Sequence, residues 1–345
     1  MDRGLFFNKE PVTARFIDPD GNEVKRLIEI RTNPITFRTC RIALSRVSEK
    51  DTGDSLPKPP PDADRKAACP FCRPQVTART PRCVEELAPP GRIARGDSLL
   101  FPNLFPYGAY SGISLFDDTH FVEIGTASVR SYRDSFLNCA EYLRRIRAVD
   151  SQAIYMAITQ NHLPSAGGSL LHPHLQINSD RIASNHHRFL RLRATEYSRV
   201  RGARLFSDFL RHEREDGGRY IGRTGRWHWM AAFAPEGFYE IWGILPGCTS
   251  FQRLLEDDWE NLALGLVRTQ KFYRSLCRNG YNFGLLLIED ANDSLEMRSI
   301  ILVRSNHAPW VRNDHTGYEV MLGDMATFVR PEETAGLARE FWRES

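Results

Sequence analysis

Three side chains set the chemistry that this sequence can do. His172, His174 and Gln176 stand at alternate positions of His172-Pro173-His174-Leu175-Gln176. On an extended strand alternate side chains share a face, so two imidazoles and a carboxamide are expected to point the same way. Just upstream, Ser165, Ala166, Gly167, Gly168 and Ser169 make a small-residue loop. Glycine removes the Cβ that would keep backbone N–H groups away from an anion. Imidazole beside an anion cradle points to phosphorus chemistry. The plainer alternative is a polar strand face that happens to carry two histidines and a glutamine.

A second group is Cys69-Pro70-Phe71-Cys72. Two thiols at this spacing serve a metal, a redox couple or neither, and a closed zinc site needs two more ligands. Cys83, His120 and His172 are the candidates, with His120 at the end of an expected strand over 112–120. If His172 is a ligand, His174 stays free for chemistry.

Composition narrows the class. A chain of 345 residues accommodates two packed units or one large one. Hydrophobic content of 41% with 26% charged residues marks a soluble globular protein. The formal charge of +3 is small and its cations are scattered, which argues against a nucleic-acid partner. No stretch approaches the ~20 apolar residues of a membrane span, and residues 1–11 lack a secretory h-region. Seven cysteines, an odd number with two in C-x-x-C, fit a reducing cytoplasm and metal binding better than a disulfide framework.

The elements that must position these residues follow from pattern. Residues 28–46 read as two short strands around Asn33-Pro34, dense in arginine (Arg31, Arg38, Arg41, Arg46), of which one or two are placed to reach a phosphate. Residues 49–66 are proline-rich and read as a loop. Two strands over 99–116 meet at an Asn-Leu-Phe-Pro corner. A helix over 131–147 carries Phe136, Ala140, Leu143 and Ile146 on one stripe, and a strand over 153–158 enters the histidine motif. The second half repeats the order: two strands over 226–245, a helix opened by an Asp257/Glu260 capping box, then strands over 283–288 and 299–303. The repeat implies a duplicated unit. Met297–Val303 stands where the first copy has the histidine motif, so one active centre per chain is expected.

These residues resemble the galactose-1-phosphate uridylyltransferase branch of the histidine-triad superfamily. That branch carries an Asn, a Gly-x-Ser and His-Pro-His-x-Gln at fixed spacing, here Asn161, Gly167-Gly168-Ser169 and His172 to Gln176. Arg31 to Thr36 resembles its Arg-x-x-Pro-x-Thr turn, followed by a strand ending in Arg46. Asn103 to Pro106 resembles its Asn-x-Phe-Pro corner. Gly317-Tyr318-Glu319 and Pro331-Glu332-Glu333 resemble its closing segments. The resemblance spans about residues 28–340. It implies an α+β fold of two tandem histidine-triad units, antiparallel sheets with packed helices, divided here as 1–190 and 191–345. It implies one structural zinc on Cys69, Cys72, His120 and His172.

The resemblance also implies a reaction. A neutral His174 attacks the α-phosphorus of a nucleotide diphosphate ester without the repulsion an anion would meet, giving a nucleotidyl-histidine that a phosphorylated acceptor then reverses. Gln176 would bind nonbridging oxygens, where hydrolase branches have a histidine suited to proton transfer. Asn161, Gly167, Gly168 and Ser169 would stabilise the distal phosphate, and Arg46, Asn103 and Glu333 complete the expected substrate contacts. Three departures limit the likeness. The His-x-His of the sugar-transferase members is replaced by Ser299-Ile300-Ile301-Leu302-Val303-Arg304-Ser305. Their hexose-binding glutamine is Glu333, and Leu104 replaces an acidic residue suited to ribose. The expected substrates are thus a nucleotide-sugar or other nucleoside diphosphate ester and a phosphorylated small molecule, with galactose one option among many. A phosphorylase using inorganic phosphate on nucleotide-sugars or dinucleoside polyphosphates, and a nucleotide-binding protein without turnover, are the alternatives. A homodimer is compatible with the resemblance.

Overall fold

The computed structural model describes residues 4–43, 55–289, 294–307 and 313–343. An antiparallel hairpin, β1 (Asn8–Ile17) and β2 (Glu23–Thr32), comes first, and β3 (Thr39–Ala43) follows after the 33–38 turn. Asn33 makes that turn: its Oδ1 accepts from the N–H groups of Ile35 and Thr36 at 2.9 and 3.1 Å. A short helix α1 (Gln75–Arg79) lies behind the C-x-x-C. The first repeat is β4 (Ile93–Arg95), β5 (Ser98–Pro102), β6 (Tyr110–Leu115), α2 (Val129–Val149), β7 (Tyr155–His162) and β8 (His174–Asp180). Two helices intervene, α3 (Asn185–Arg201) and α4 (Leu205–Asp216). The second repeat is β9 (Tyr220–Thr224), β10 (Trp227–Ala231), β11 (Phe238–Leu245), α5 (Glu256–Ser275), β12 (Gly280–Ile288) and β13 (Met297–Arg304). Then come α6 (Gly317–Leu322), β14 (Met325–Thr327) and α7 (Pro331–Ala338).

The duplicated order expected from the sequence is present, and the two copies form one sheet. Its ten strands run β4-β5-β6-β8-β7-β12-β13-β11-β10-β9, a palindrome about the antiparallel β7–β12 pair. Joining the copies through β7 and β12 leaves neither inner strand with an unpaired edge. A smaller sheet, β1-β2-β3-β14, closes with a parallel β3–β14 pair, so the first strands pack with the last segment of the chain. The repeats lie on either side of the expected 190/191 division, which α3 itself crosses.

One face of the large sheet is covered by α2 and α5. The predicted stripe Phe136, Ala140, Leu143 and Ile146 is buried, and it shares a core with Trp259, Leu262 and Leu266 of α5. Each such large apolar side chain contributes roughly 1.5–3 kcal/mol. A buried polar knot ties the copies together beneath the sheet. The Tyr132 hydroxyl donates to Gln160 Oε1 at 2.8 Å and accepts from Gln270 Nε2 at 2.7 Å, and it meets the Tyr281 hydroxyl at 2.7 Å.

Several local expectations change. The α5 N-terminus is not capped by Asp257 and Glu260; the Asp258 carboxylate accepts from the Leu255 N–H at 2.9 Å. The strand expected over 112–120 stops at Leu115, because an Asx turn at Asp117, accepting from the Thr119 N–H at 2.7 Å, reverses the chain. The strand over 153–158 extends to His162. Residues 185–216, to which the pattern above assigns no element, are the helices α3 and α4. Ser184 caps α3 by accepting from the His187 N–H at 3.3 Å, and Leu190, Ala194 and Tyr197 form its buried stripe.

Candidate active site and metal centre

The turn at Asp117 brings His120 back towards the C-x-x-C. Ligand atoms of Cys69, Cys72, His120 and His172 lie within 4.8 Å of one another. Cys72 Sγ is 3.4 Å from His120 Nδ1 and 3.3 Å from His172 Nδ1. The far nitrogen of each ring is held by a carbonyl: His120 Nε2 donates to Asp62 O at 3.2 Å and His172 Nε2 to Asp117 O at 2.9 Å. Carbonyls only accept, so both Nδ1 atoms keep their lone pairs directed at the cysteines, the outer support that metal-binding histidines require. Burial and the adjacent Cys69 push the Cys72 thiol up to about 12 without a cation. A divalent metal reverses that by deprotonating its thiol ligands. Two sulfurs and two imidazole nitrogens fit a tetrahedral ion. Cys83, the other candidate ligand, is outside this cluster: its N–H bonds Gly91 O at 2.8 Å and its side chain joins the α2/α5 core.

His172 precedes β8, and His174 opens that strand on the sheet face opposite α2 and α5. His174 Nδ1 donates to the carbonyl of His172 at 2.7 Å. The Nε2 lone pair is therefore the free one. Burial lowers the basicity of this ring against the partial opposition of that hydrogen bond, so the imidazole is neutral at neutral pH. The Phe71 ring, between the two cysteines, stands edge-on to His174 at 5.3 Å and to Phe101 at 5.4 Å. It packs on a small apolar cluster of Val76, Phe101, Ile113 and Leu115. The C-x-x-C loop thus supports the wall beside His174. Nothing in sequence periodicity marks Phe71; its position inside C-x-x-C was the available signal.

Register gives the rest of the face. Gln176 pairs with Ile113 on one side and with Thr159 on the other. Asn161, two residues beyond Thr159, shares this face with His174. The loop that follows is tightly turned. Leu163 has φ 73° and Gly167 φ 86°, and a Cβ on Gly168 would come within 3.0 Å of the carbonyl oxygens of Asn161 and Leu163. Gly168 is required by that close approach. Ser169 is exposed at the rim.

No family model matches the chain. An uncharacterized protein of Archaeoglobus fulgidus is 28% identical over 342 residues, covering 98% of this chain and 99% of that one. Among solved structures, an ADP-glucose phosphorylase from Arabidopsis thaliana with bound ADP-glucose is similar at a TM-score of 0.70 and 18% identity. The match covers 91% of this chain and 98% of that one. A uridylyltransferase structure gives a TM-score of 0.65 at 18% identity, with the same 91% and 98% coverage. The chain has the uridylyltransferase fold. Its two repeats are tandem histidine-triad-like units of the α+β class expected from sequence.

Within this uridylyltransferase fold the expected substrate residues do not all converge. Asn103 sits at the end of β5 on the face of Gln176; its Oδ1 accepts from the Phe105 N–H at 3.1 Å and its N–H bonds Ser111 O at 2.9 Å. Arg46 lies outside the described residues. Glu333 is exposed on α7, whose buried Ala335 and Ala338 join the core on the α2/α5 side, near β9–β11 and four strands or more from β8. The hairpin arginines are engaged in ion pairs. Arg31 grips Glu332 at 2.8 Å, Arg38 pairs with Glu236 at 2.9 Å and Arg41 with Asp324 at 2.9 Å. No helix among the described residues is long and apolar enough to cross a membrane.

Proposed function

We propose that the protein belongs to the galactose-1-phosphate uridylyltransferase branch and transfers a nucleoside monophosphate through His174. The observation that carries this reading is the Nδ1–H bond of His174 to the His172 carbonyl, which leaves a neutral Nε2 nucleophile on a partly apolar sheet face. In the first step the Nε2 lone pair forms a bond to the α-phosphorus of a nucleoside diphosphate ester. The bond from that phosphorus to the bridging oxygen breaks, and the leaving phosphate ester takes the electron pair. No proton need move, because the leaving group is already a stable phosphate. A phosphate oxygen of the acceptor then attacks the same phosphorus and His174 departs neutral. Gln176 donates from its carboxamide to nonbridging oxygens, while Asn161 and Ser169 hold the distal phosphate. The expected Gly167-Gly168 donors are spent inside the loop, their N–H groups bonding the carbonyls of Pro164 and Leu163 at 3.0 and 3.1 Å.

Cys69, Cys72, His120 and His172 would hold one zinc ion. When bound, the ion would cross-link the 62–120 loops to the start of β8, and these residues would then fix where the His172 carbonyl and the Phe71 ring stand against His174. Asn103, which shares the face of Gln176, would contact the nucleotide, and Arg46 belongs to the same expected set. Glu333 is remote from His174 in the chain, so a part for it in acceptor binding requires a second copy to present it.

The test is intact mass after brief incubation with uridine, adenosine, guanosine and cytidine diphosphate-sugars. An acid-labile adduct of one nucleoside monophosphate, absent in His174→Ala, is the expected result. Discharge of that adduct by hexose phosphates but not by inorganic phosphate gives a transferase; the reverse gives a phosphorylase. Nucleotide binding unchanged in His174→Ala, with no adduct from any donor, would replace both with a binding protein.

A further inference from the structure

Asn161 on β7 and Asn282 on β12 face each other across the seam between the repeats. Asn282 Nδ2 donates to Asn161 Oδ1 at 2.7 Å and to the Ala166 carbonyl at 2.9 Å. Asn282 Oδ1 accepts from Arg304 Nη1 at 2.7 Å. Arg304 in turn spends Nε and Nη2 on the two oxygens of Asp314, at 2.8 and 2.6 Å.

This chain has a polarity that chemistry imposes. A guanidinium has donors and no acceptor, so the Asn282 atom facing Arg304 must be the oxygen. Asn282 can then offer Asn161 only its NH2 group, and Asn161 must answer with its own oxygen. The Asn161 NH2 is left turned away from Asn282, with no protein partner among the described residues, on the face that carries His174 and Gln176. An asparagine without such a constraint presents oxygen or NH2 with little preference, and its oxygen would repel an anion. Asp314 offsets the charge of Arg304, so the relay delivers orientation rather than net positive charge. The bond from Asn282 to Ala166 holds the 163–169 loop at the same time.

We infer that Arg304 and Asn282, both supplied by the repeat that lacks the catalytic histidine, are positioning residues that make Asn161 an obligate hydrogen-bond donor to the anionic phosphate group of the substrate. The catalytic consequence rests on the nucleotidyl-transfer reading; the donor-only character of the site does not.

Substitutions that change polarity at similar size test this. Arg304→Lys keeps a donor-only group against Asn282, whereas Arg304→Gln offers donor and acceptor and lets the relay reverse. Asn282→Asp presents only acceptors to Asn161 and turns the Asn161 oxygen outward. Two readouts are taken on the full chain, with thermal melts as a check on folding. These are the affinity for inorganic pyrophosphate by calorimetry, which needs no turnover, and the rate of His174 adduct formation from ADP-glucose or whichever diphosphate-sugar reacts. Arg304→Gln should lower both by about tenfold and Asn282→Asp by more, consistent with loss of one oriented donor, while Arg304→Lys stays within about threefold of wild type on the same scale. Equal values for the Lys and Gln variants, or pyrophosphate binding by Asn282→Asp as tight as wild type, would overturn the inference, as would no pyrophosphate binding by wild type. If wild type makes no adduct with any donor, the transfer reading fails while the pyrophosphate series still decides this one.

Discussion

The two repeats share a strand order, yet their equivalent faces have opposite fates. On β8 the face carries a buried His174 and a half-buried Gln176 beside Phe71 and Phe101, and among the described residues no helical pair packs over them as on β13. On β13 the corresponding positions are Arg298 and Ile300, and α3 and α4 lie over them. Arg298 is buried there, stacked 4.4 Å from the Trp242 ring and 5.3 Å from Phe206. A sheet face must be solvated, covered or used for binding. The first repeat's face carries the candidate site, and the second repeat's face is covered by a helical pair, α3 and α4, packed on it.

The sharpest way to break this comparison is to alter both faces. His174→Ala should abolish adduct formation and reduce turnover on the order of 10⁴-fold or more, as removal of a covalent nucleophile does, with little change in melting. Arg298→Met should do the opposite: adduct formation persists, while stability falls by about 2 kcal/mol through loss of two desolvated cation–π contacts. Loss of adduct in Arg298→Met would mean that the second face takes part in chemistry.

The metal site gives the next effect. Cys72→Ser should take bound zinc from one ion per chain to none by elemental analysis, and destabilise the protein by several kcal/mol because metal binding energy is folding energy. Cys248→Ser, in the second repeat, should leave the metal content unchanged, since Cys248 Sγ sits against the Ser250 carbonyl and outside the cluster.

The smallest effect concerns how the small sheet is fastened to the second repeat. Burial alone would raise the Glu332 carboxyl, but Arg31 and Arg219 override it and hold the group at about 2. A depressed carboxylate stabilises the fold above its unfolded pKa and loses that contribution as pH falls. Acid unfolding should therefore lose roughly 2 kcal/mol between about pH 4.5 and pH 2 through this group. Glu332→Gln should flatten that segment of the stability curve and leave the region above pH 6 parallel to wild type. An unaltered acid limb in the variant would assign the pH dependence elsewhere.

Much of this is legible in the chain. The alternation of His172, His174 and Gln176, the short C-x-x-C chelate and the stripe of α2 are local patterns, and local patterns survive without knowledge of the fold. The helices α3 and α4 escape notice because Asn185–Arg201 is crowded with arginine and histidine, which hides the Leu190, Ala194, Tyr197 spacing. The relay from Arg304 to Asn161 has no sequence period at all: its members lie on three strands or in the loop after β13. Glu333 shows the converse, a motif position matched in order whose side chain the fold carries to the far side of the sheet.

By itself the sequence determined the candidate reactive groups, the duplicated order of elements and the one repeat that bears the His-Pro-His-x-Gln motif, because residue type and short spacing suffice for these. Only the tertiary structure decided that the repeats join through β7 and β12, that a turn at Asp117 completes the four-ligand cluster, and that His174 exposes Nε2. It also decided which face is covered. These depend on contacts between residues tens to hundreds of positions apart, whose geometry is set by strand register and packing rather than by any local preference.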